Sequence, residues 1–337
     1  MKNKVFIIAE ISANHQNSLE KTKKLIDKIK ESGADSIKFQ TFKPEHITIN
    51  IKSENFKIKE NNSLWKGRYL FDLYKESALP FEWHKELFSY IKKKNMIPFS
   101  SVFDEAGLEF LQSIKCPIYK IASLENNHFP LLKKLAKTKK PIIISSGATN
   151  FNDLRKSVNY LKKNGCKDLS VLKCTSQYPA KNHNLNLLAL KKIAKLKCKI
   201  GFSDHTIGST AAIMAVSLGA TVLEKHVKLA SNSSLDNKFS MKVEDFKDFV
   251  KEVRIAEKSL GKEKIFLTKD EKNANKRKRS IIVINKIKKN EIISKNNIRV
   301  LRPNIGDNPI NFEKSMGRKA KKPFNIGDPF FFRFTKK

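Results

Sequence analysis

From the N-terminus to about Leu260, short apolar runs alternate with longer segments whose apolar residues recur every three or four positions. The short runs predict strands at Val5–Ile11, Ser36–Thr41, Pro98–Phe103, Ile118–Ser123, Pro141–Gly147, Leu169–Cys174, Lys199–His205 and Val222–Val227. The longer segments predict helices at Ser18–Ser32, Phe81–Asn95, Glu105–Ile114, Pro130–Thr138, Asn152–Asn164, Leu185–Leu196, Ser209–Leu218 and Val243–Leu260. In the first helix Leu25, Ile26 and Ile29 share a face, Ser18 stands at the N-cap and Gly33 follows as a stop. Strands that read as continuous apolar runs are parallel strands covered on both faces. Eight strand–helix repeats predict an α/β fold, a (β/α)8 TIM barrel. The competing doubly wound sheet normally carries a glycine-rich turn after its first strand, and IAEISANH has none. One connection, Phe42–Leu79, is long enough to expect a functional loop.

Past Leu260 the pattern changes. Residues 1–262 are expected to form the barrel, 263–278 a charged, helix-like linker, and 279–337 a small second domain rich in turns. A linker helical throughout would span about 25 Å. No internal repeat is visible.

Composition narrows the class. With 40% hydrophobic residues the chain can bury a core, and no apolar run has membrane-spanning length. The opening MKNKVFIIAE is too short an apolar run for a signal peptide and is expected to be a buried strand. The four cysteines show neither paired spacing nor CxxC, as expected for a reducing cytoplasm. The net charge of +35 points at first to nucleic acid. It comes from 59 Lys and only 9 Arg, spread along the whole chain, whereas base and phosphate readers favour Arg. Neither a nucleic-acid partner nor a membrane is therefore expected. The basic surface would attract anionic substrates.

The candidate chemistry lies where the predicted strands end, since barrel active sites form at that face. There the apolar runs give way to Glu10; Lys38 and Gln40; Ser100 and Ser101; Lys120 and Ser123; Ser145 and Ser146; Thr175 and Ser176; Ser203, Asp204 and His205; and Glu224, Lys225 and His226. Any one of these is ordinary by itself: a lysine reaching solvent, a serine capping a helix, a hydrogen-bonded histidine. As a set at one end of eight strands they predict a common pocket. Lys38 and Lys120 with Ser101, Ser123 and Ser145 suit a small dianion. His205 and His226, from adjacent strands, suit a divalent metal with open positions. Glu10 and Glu125 suit water orientation or acid–base work. Phosphate, metal and carboxylate in one mouth leave lyase, aldol-type and phosphotransfer chemistry open.

The segments VFIIAEISANHQNSLE, ADSIKFQTF, YKIASLENNH, IIISSGAT, LKCTSQYP, IGFSDHTIG and LEKHV, in this order, resemble the sialic acid synthase family. The tail LRPNIGD resembles that family's C-terminal antifreeze-like (β-clip) domain. Leu64–Phe88, with Trp65 and Trp83, resembles the pseudaminic acid synthases more than the N-acetylneuraminate or legionaminate synthases. The resemblance implies a transferase that condenses phosphoenolpyruvate with an N-acetylated amino-sugar. It implies His205 and His226 as ligands of a divalent metal, Mn2+ first, with Mg2+ or Co2+ as alternatives. Lys38, Lys120, Ser123, Ser145 and Ser203 would hold phosphoenolpyruvate, with Ser101 where the family often has Thr. Ser176 stands where some members have Asn. Glu10, Gln40, Glu125, Tyr178 and Asp236 would face the sugar, and Arg302 would reach the sugar of a neighbouring subunit in a domain-swapped homodimer. Two rivals remain: a phosphoenolpyruvate-dependent aldolase of 3-deoxy sugar acids, which lacks the antifreeze-like tail, and a non-catalytic barrel carrying a surface-binding tail.

Overall fold

The computed structural model describes residues 4–61, 63–231 and 233–337. They form two compact units, 1–261 and 262–337.

In the first unit eight parallel strands close on themselves: β1 (Phe6–Glu10), β2 (Ser36–Thr41), β3 (Ile97–Val102), β4 (Tyr119–Ile121), β5 (Ile142–Ser145), β6 (Leu169–Cys174), β7 (Lys199–Asp204) and β8 (Val222–Lys228). Each pairs with the next, and β1 pairs with β8. A short β9 (Met241–Lys242), which the pattern does not predict, adds to β8. The helices are α1 (Leu19–Ser32), α2 (Pro44–Ile47), α3 (Leu70–Ser77), α4 (Phe81–Lys93), α5 (Glu105–Ser113), α6 (Phe129–Lys137), α7 (Phe151–Lys163), α8 (Ala189–Ala194), α9 (Thr210–Ser217) and α10 (Val243–Ser259). The eight expected helices are all present, the one over 185–196 reduced to α8, with a 3-10 turn at Asn182–Asn184 just before that range. The two extra ones, α2 and α3, lie inside the long connection.

The start of α1 follows its caps: the Ser18 hydroxyl accepts from the Lys21 amide, and Gly33 ends the helix at φ +83°. Leu25, Ile26 and Ile29 are fully buried, as their spacing requires. Strand β5 is IIIS with every residue buried, the expected composition of a strand with apolar groups on both faces.

Strand parity decides which polar residues enter the barrel. Successive side chains alternate between interior and helical layer. Ser100 therefore turns outward and bonds Thr41 Oγ1 at 2.6 Å, which in turn meets His84 Nε2 on α4 at 2.7 Å. His84 Nδ1–H donates to the Pro80 carbonyl, 3.0 Å, and burial holds the ring neutral, its pKa down to about 4. This network pins α4, at the far end of the long connection, to β2 and β3. Lys225 and Asp204 also face outward. They form a buried ion pair of 2.8 Å, and Lys225 donates further to the Thr206 and Gly208 carbonyls. Asp204, Lys225 and Ser100 thus leave the strand-end set and serve the fold.

The second unit has its own core of Ile281, Val283, Ile287, Ile293, Ile298, Ala320, Phe324 and Phe330. It contains the antiparallel pairs β10 (Ser280–Val283) with β11 (Ile298–Leu301) and β12 (Lys319–Ala320) with β13 (Thr335–Lys336), and a short α12 (Phe312–Ser315). The linker is not helical throughout. Its one helix, α11, spans Lys269–Asn275 and begins at a capping box between Thr268 and Glu271. Ile265, Phe266 and Leu267 before it lie outside any helix or strand and are exposed, without the helical spacing that would bury one face.

Candidate active site

The residues that do face the barrel interior at the strand ends form one buried constellation. Strand register brings Glu10 opposite Lys38 and His226, Gln40 opposite Ser101, Ser101 opposite Lys120, and Ser203 opposite Glu224.

Lys38 is the hub. Its ammonium lies 2.5 Å from Glu10 Oε2 and 3.9 Å from Glu224 Oε2, and it donates to Ser101 Oγ at 2.9 Å. Gln40 Nε2 donates to the other Glu10 oxygen at 3.3 Å. Burial alone would lower the Lys38 pKa, but Glu10 and Glu224 outweigh it and raise it. Burial drives Glu10 upward against the attraction of Lys38. Burial also opposes ionisation of Glu224, yet Lys120, Lys38 and His226 hold it down to about 2. Ser203 Oγ donates to Glu224 Oε1 at 3.0 Å.

Lys120 differs from Lys38. It donates to Ser145 Oγ at 2.6 Å and to the Ile121 carbonyl at 3.1 Å, and forms no ion pair among the described residues. Burial lowers its pKa. Glu224 acts on it through space but forms no direct ion pair with it, so an arriving anion can still pair with this ammonium. Beside it, the Gly147 amide donates to Ser123 Oγ at 3.2 Å. A Cβ on Gly147 would overlap the hydroxyls of Ser123 and Ser176, so glycine is needed for these groups to converge. An amide and two hydroxyls next to a buried lysine form a cradle for an oxyanion.

At the other side of the mouth the rings of His205 and His226 lie 5.4 Å apart at 71°. His205 Nδ1 is 3.0 Å from the Thr175 carbonyl. A carbonyl only accepts, so Nδ1 carries the proton and Nε2 keeps its lone pair. Burial, then the neighbouring His226, lowers the His205 pKa to about 3 and keeps the ring neutral. His226 Nδ1 is buried without a hydrogen bond, and Asp236 Oδ2 stands 3.6 Å from it. The 3-10 turn Ser12–His15 holds Asp236 there: the Ala13 amide donates to Asp236 Oδ2 at 3.3 Å, and Asn14 Nδ2 donates to Ser240 Oγ and the Val227 carbonyl. Burial opposes the Asp236 charge, but His226, Ser12 and the Ala13 amide lower its pKa. Asp236, expected to face the sugar, thus lies against an imidazole. Among the described residues no group of three or more His, Cys, Asp or Glu forms a ready-made metal cluster. The two imidazoles, with His205 held neutral, one of its nitrogens bare and the other tied back, fit a metal held by two protein ligands and completed by substrate or water.

Glu125 sits on the 3-10 turn after β4 with Oε2 buried and unbonded. Burial raises its pKa to about 7, against the pull of Lys120. Tyr178 stacks on His205, ring centroids 4.3 Å apart. Arg302 belongs to the second unit, exposed just past β11 on a loop held by Ser280, which donates to the Pro303 carbonyl at 2.7 Å and accepts from the Gly306 amide at 3.0 Å.

Two residues escaped the strand-end reading. Glu224 appeared there with no role assigned, although it shares the face of His226 two positions on, which is the signal that would have found it. Trp65 enters the sequence pattern only through the resemblance of Leu64–Phe88 to the pseudaminic acid synthases. It arrives from the long connection to pack on Tyr178 at 5.8 Å and Phe239 at 6.4 Å. Trp83, its companion in that reading, instead packs on the edge of His15 and on the hydrophobic core.

The NeuB family profile matches residues 25–265, and the SAF domain profile matches 278–332. The chain belongs to the NeuB family. It is 40% identical over 330 residues to the pseudaminic acid synthase of Helicobacter pylori, covering 96% of this chain and 95% of that protein. It is 41% identical to the enzyme of that name from Campylobacter jejuni, over 329 residues and the same shares. It is 35% identical to the N,N'-diacetyllegionaminic acid synthase of C. jejuni, over 95% of this chain and 97% of that one. Among solved structures, the N-acetylneuraminic acid synthetase of Leptospira borgpetersenii superposes with a TM-score of 0.70 at 27% identity, over 81% of this chain and 90% of that one. The barrel is followed by the small second unit that the SAF profile matches. Among the described residues no helix is long and apolar enough to cross a membrane.

Proposed function

We propose that this NeuB-family chain is a pseudaminic acid synthase, joining phosphoenolpyruvate to 2,4-diacetamido-2,4,6-trideoxy-L-altrose. The observation that carries the reading is the single buried mouth in which an oxyanion cradle (Lys120, Ser123, Gly147) and a histidine pair (His205, His226) meet. Near-full-length identity of 40–41% to pseudaminic acid synthases, against 35% to a legionaminic acid synthase, favours the altrose-derived substrate.

In this reading Lys120, Ser145, Ser123, Ser176 and the Gly147 amide bind the phosphate. Lys38 and Ser101 take the carboxylate, and Ser203 orients Glu224 behind them. His205 and His226 hold a divalent cation, Mn2+ by preference with Mg2+ or Co2+ as substitutes, and Asp236 fixes the His226 ring. Such a cation, when bound, supplies Lewis-acid polarisation of the open-chain aldehyde. The methylene carbon of phosphoenolpyruvate forms the new C–C bond to the aldehyde carbon, whose oxygen takes up a proton. Water adds at the carbon bearing phosphate, and the C–O bond to phosphate breaks, leaving a 2-keto acid and inorganic phosphate. Glu125 can exchange a proton near neutrality and serves that water; Glu10, Gln40 and Tyr178 line the sugar. Holding both substrates in one closed mouth lowers the barrier by up to about 7–11 kcal/mol. Arg302 acts on the sugar in a partner subunit's barrel, in a domain-swapped homodimer, and the enzyme works in the cytoplasm.

The test is phosphate release from phosphoenolpyruvate with the diacetamido-altrose, the diacetamido-trideoxy-mannose and N-acetylmannosamine. Preference for the altrose sugar is expected. Preference for either of the others makes the chain a legionaminate or N-acetylneuraminate synthase, and release with none of the three leaves the non-catalytic scaffold.

A further inference from the structure

The connection from β2 to α3 is not a loose loop where it carries Trp65. Lys57 and Tyr69 pair across an antiparallel bridge, the Gly67 amide donates to the Ile58 carbonyl at 2.8 Å, and the Ile58 amide donates to the Arg68 carbonyl at 2.9 Å. Gly67 adopts φ +84°, a conformation that favours glycine. The Trp65 backbone is bonded in turn, its amide to Ser63 Oγ and its carbonyl to the Arg68 amide. The indole is thus presented on a closed turn, against Tyr178 and Phe239. Those two rings lie on the histidine pair, Tyr178 on His205 at 4.3 Å and Phe239 against His226 at 5.0 Å.

The Trp65 indole Nε1–H is shut off from water and has no hydrogen-bond partner among the described residues. A buried donor without an acceptor is unfavourable, and in a folded protein it calls for an explanation. An acceptor that arrives with the substrate supplies one. The indole is donor-only, and its surroundings are aromatic faces. A sugar hydroxyl could accept from Nε1 but would bring its own O–H donor to those faces. An acetamido group brings a carbonyl oxygen for Nε1 and a methyl for the rings of Tyr178 and Phe239. Trp65 also stands one ring farther than Tyr178 and Phe239 from the histidines, where the aldehyde end is held. The group it meets is then remote from the aldehyde, not the acetamido adjoining it.

We infer that Trp65 is a specificity residue: its Nε1–H donates to the carbonyl of the 4-acetamido group of the sugar, in a box closed by Tyr178 and Phe239. This rests on the reading of the site as one for a 2,4-diacetamido sugar. The box rewards an acylated amine at position 4 and discriminates against a free hydroxyl there. A site built around a hydrogen bond rejects partners that cannot complete it.

The test compares wild type and Trp65→Phe, which keeps an aromatic ring and removes the donor. The two substrates are the diacetamido-altrose and its 4-hydroxy counterpart, 2-acetamido-2,6-dideoxy-L-altrose. For the diacetamido sugar the substitution should raise KM about 10-fold, the scale of one lost hydrogen bond with its acceptor left unpaired. For the 4-hydroxy sugar the change should stay below about 2-fold, and the phosphoenolpyruvate KM should not move. An equal rise for both sugars would mean that Trp65 only supports the pocket, and no rise for either would mean that Nε1 meets nothing; each outcome overturns the inference. If wild type prefers the diacetamido-mannose, the same comparison on that sugar and its 4-hydroxy form decides the inference separately from the altrose assignment. Preference for N-acetylmannosamine, which has no acetamido group at position 4, overturns both.

Discussion

Replacing Lys38 by Met would remove the one cation that stands between Glu10 and Glu224. Glu10 is fully buried and Glu224 is 4% exposed, so neither can turn to water when the ammonium goes. The ion pair at 2.5 Å, the longer one at 3.9 Å and the hydrogen bond to Ser101 are all lost together. Breaking a buried ion pair from one side is destabilising by about 3–5 kcal/mol, because the remaining charge is stranded. At about 2 °C per kcal/mol for a unit of this size, the melting temperature should fall by about 6–10 °C.

The pH dependence separates this cause from a packing defect. Without Lys38, burial pushes the folded-state pKa of Glu10 further above the unfolded value, while Lys120 and His226 still act on Glu224. A group raised in this way contributes stability at pH below its unfolded pKa and loses it as pH rises through the folded pKa. The deficit of Lys38→Met should therefore be small near pH 5 and full near pH 8. In the double variant Glu10→Gln with Lys38→Met one stranded charge is gone, so part of the pH 8 loss should return while activity does not. Thermal melts of the full chain at both pH values, with phosphate-release kinetics alongside, make the measurement. An equal deficit at pH 5 and pH 8, or a double variant no more stable than Lys38→Met, would refute the account of Lys38 as a neutralising hub.

His205→Ala and His226→Ala should each abolish phosphate release and weaken Mn2+ binding measured calorimetrically, with thermal stability of the metal-free protein nearly unchanged; retained Mn2+ affinity would remove the histidine pair from the metal site. Glu125→Gln should stabilise the protein above pH 7 and not near pH 5, since the raised folded pKa of about 7 means that wild-type stability is lost as pH rises through that value. The gain at pH 8 should be at most about 3 kcal/mol, and a difference between the two proteins that does not change with pH would contradict the burial argument. For Arg302, mixing Arg302→Ala with His205→Ala chains should restore activity, because a heterodimer would hold one site with neither defect; no recovery despite proven subunit exchange would mean that Arg302 does not work in trans.

What the sequence made legible here follows from how much of each feature is local. Periodicity predicted eight strands with helices between them because a buried parallel strand must be apolar and a covering helix must be amphipathic, and both demands leave marks within ten residues. The polar strand ends were visible for the same reason: a lysine or glutamate where apolar text should continue stands out. Which of those residues share the pocket depends on parity, and parity is settled by pairing with neighbouring strands. In the run Glu224, Lys225, His226 all three are polar, yet only the outer two face the interior, while Lys225 turns to Asp204 on the outside. Glu224 could have been recovered by counting back two from His226. Asp236 and Trp65 could not be placed by counting, since each rides on a connection whose path is set by distant partners, the Ala13 amide for one and the ring of Tyr178 for the other. The linker shows the opposite failure. Its charge suggested helix throughout, but Ile265, Phe266 and Leu267 interrupt the polar pattern and the Thr268–Glu271 capping box starts the helix only after them. A local signal was present there and was outweighed by composition. In this fold, then, single-residue chemistry identifies which groups the site can draw on, and long-range pairing selects among them: of the acidic residues in the barrel mouth, Glu224 is the one held ionised beside Lys38 and Lys120, while the turn after β4 keeps Glu125 poised to exchange a proton near neutral pH.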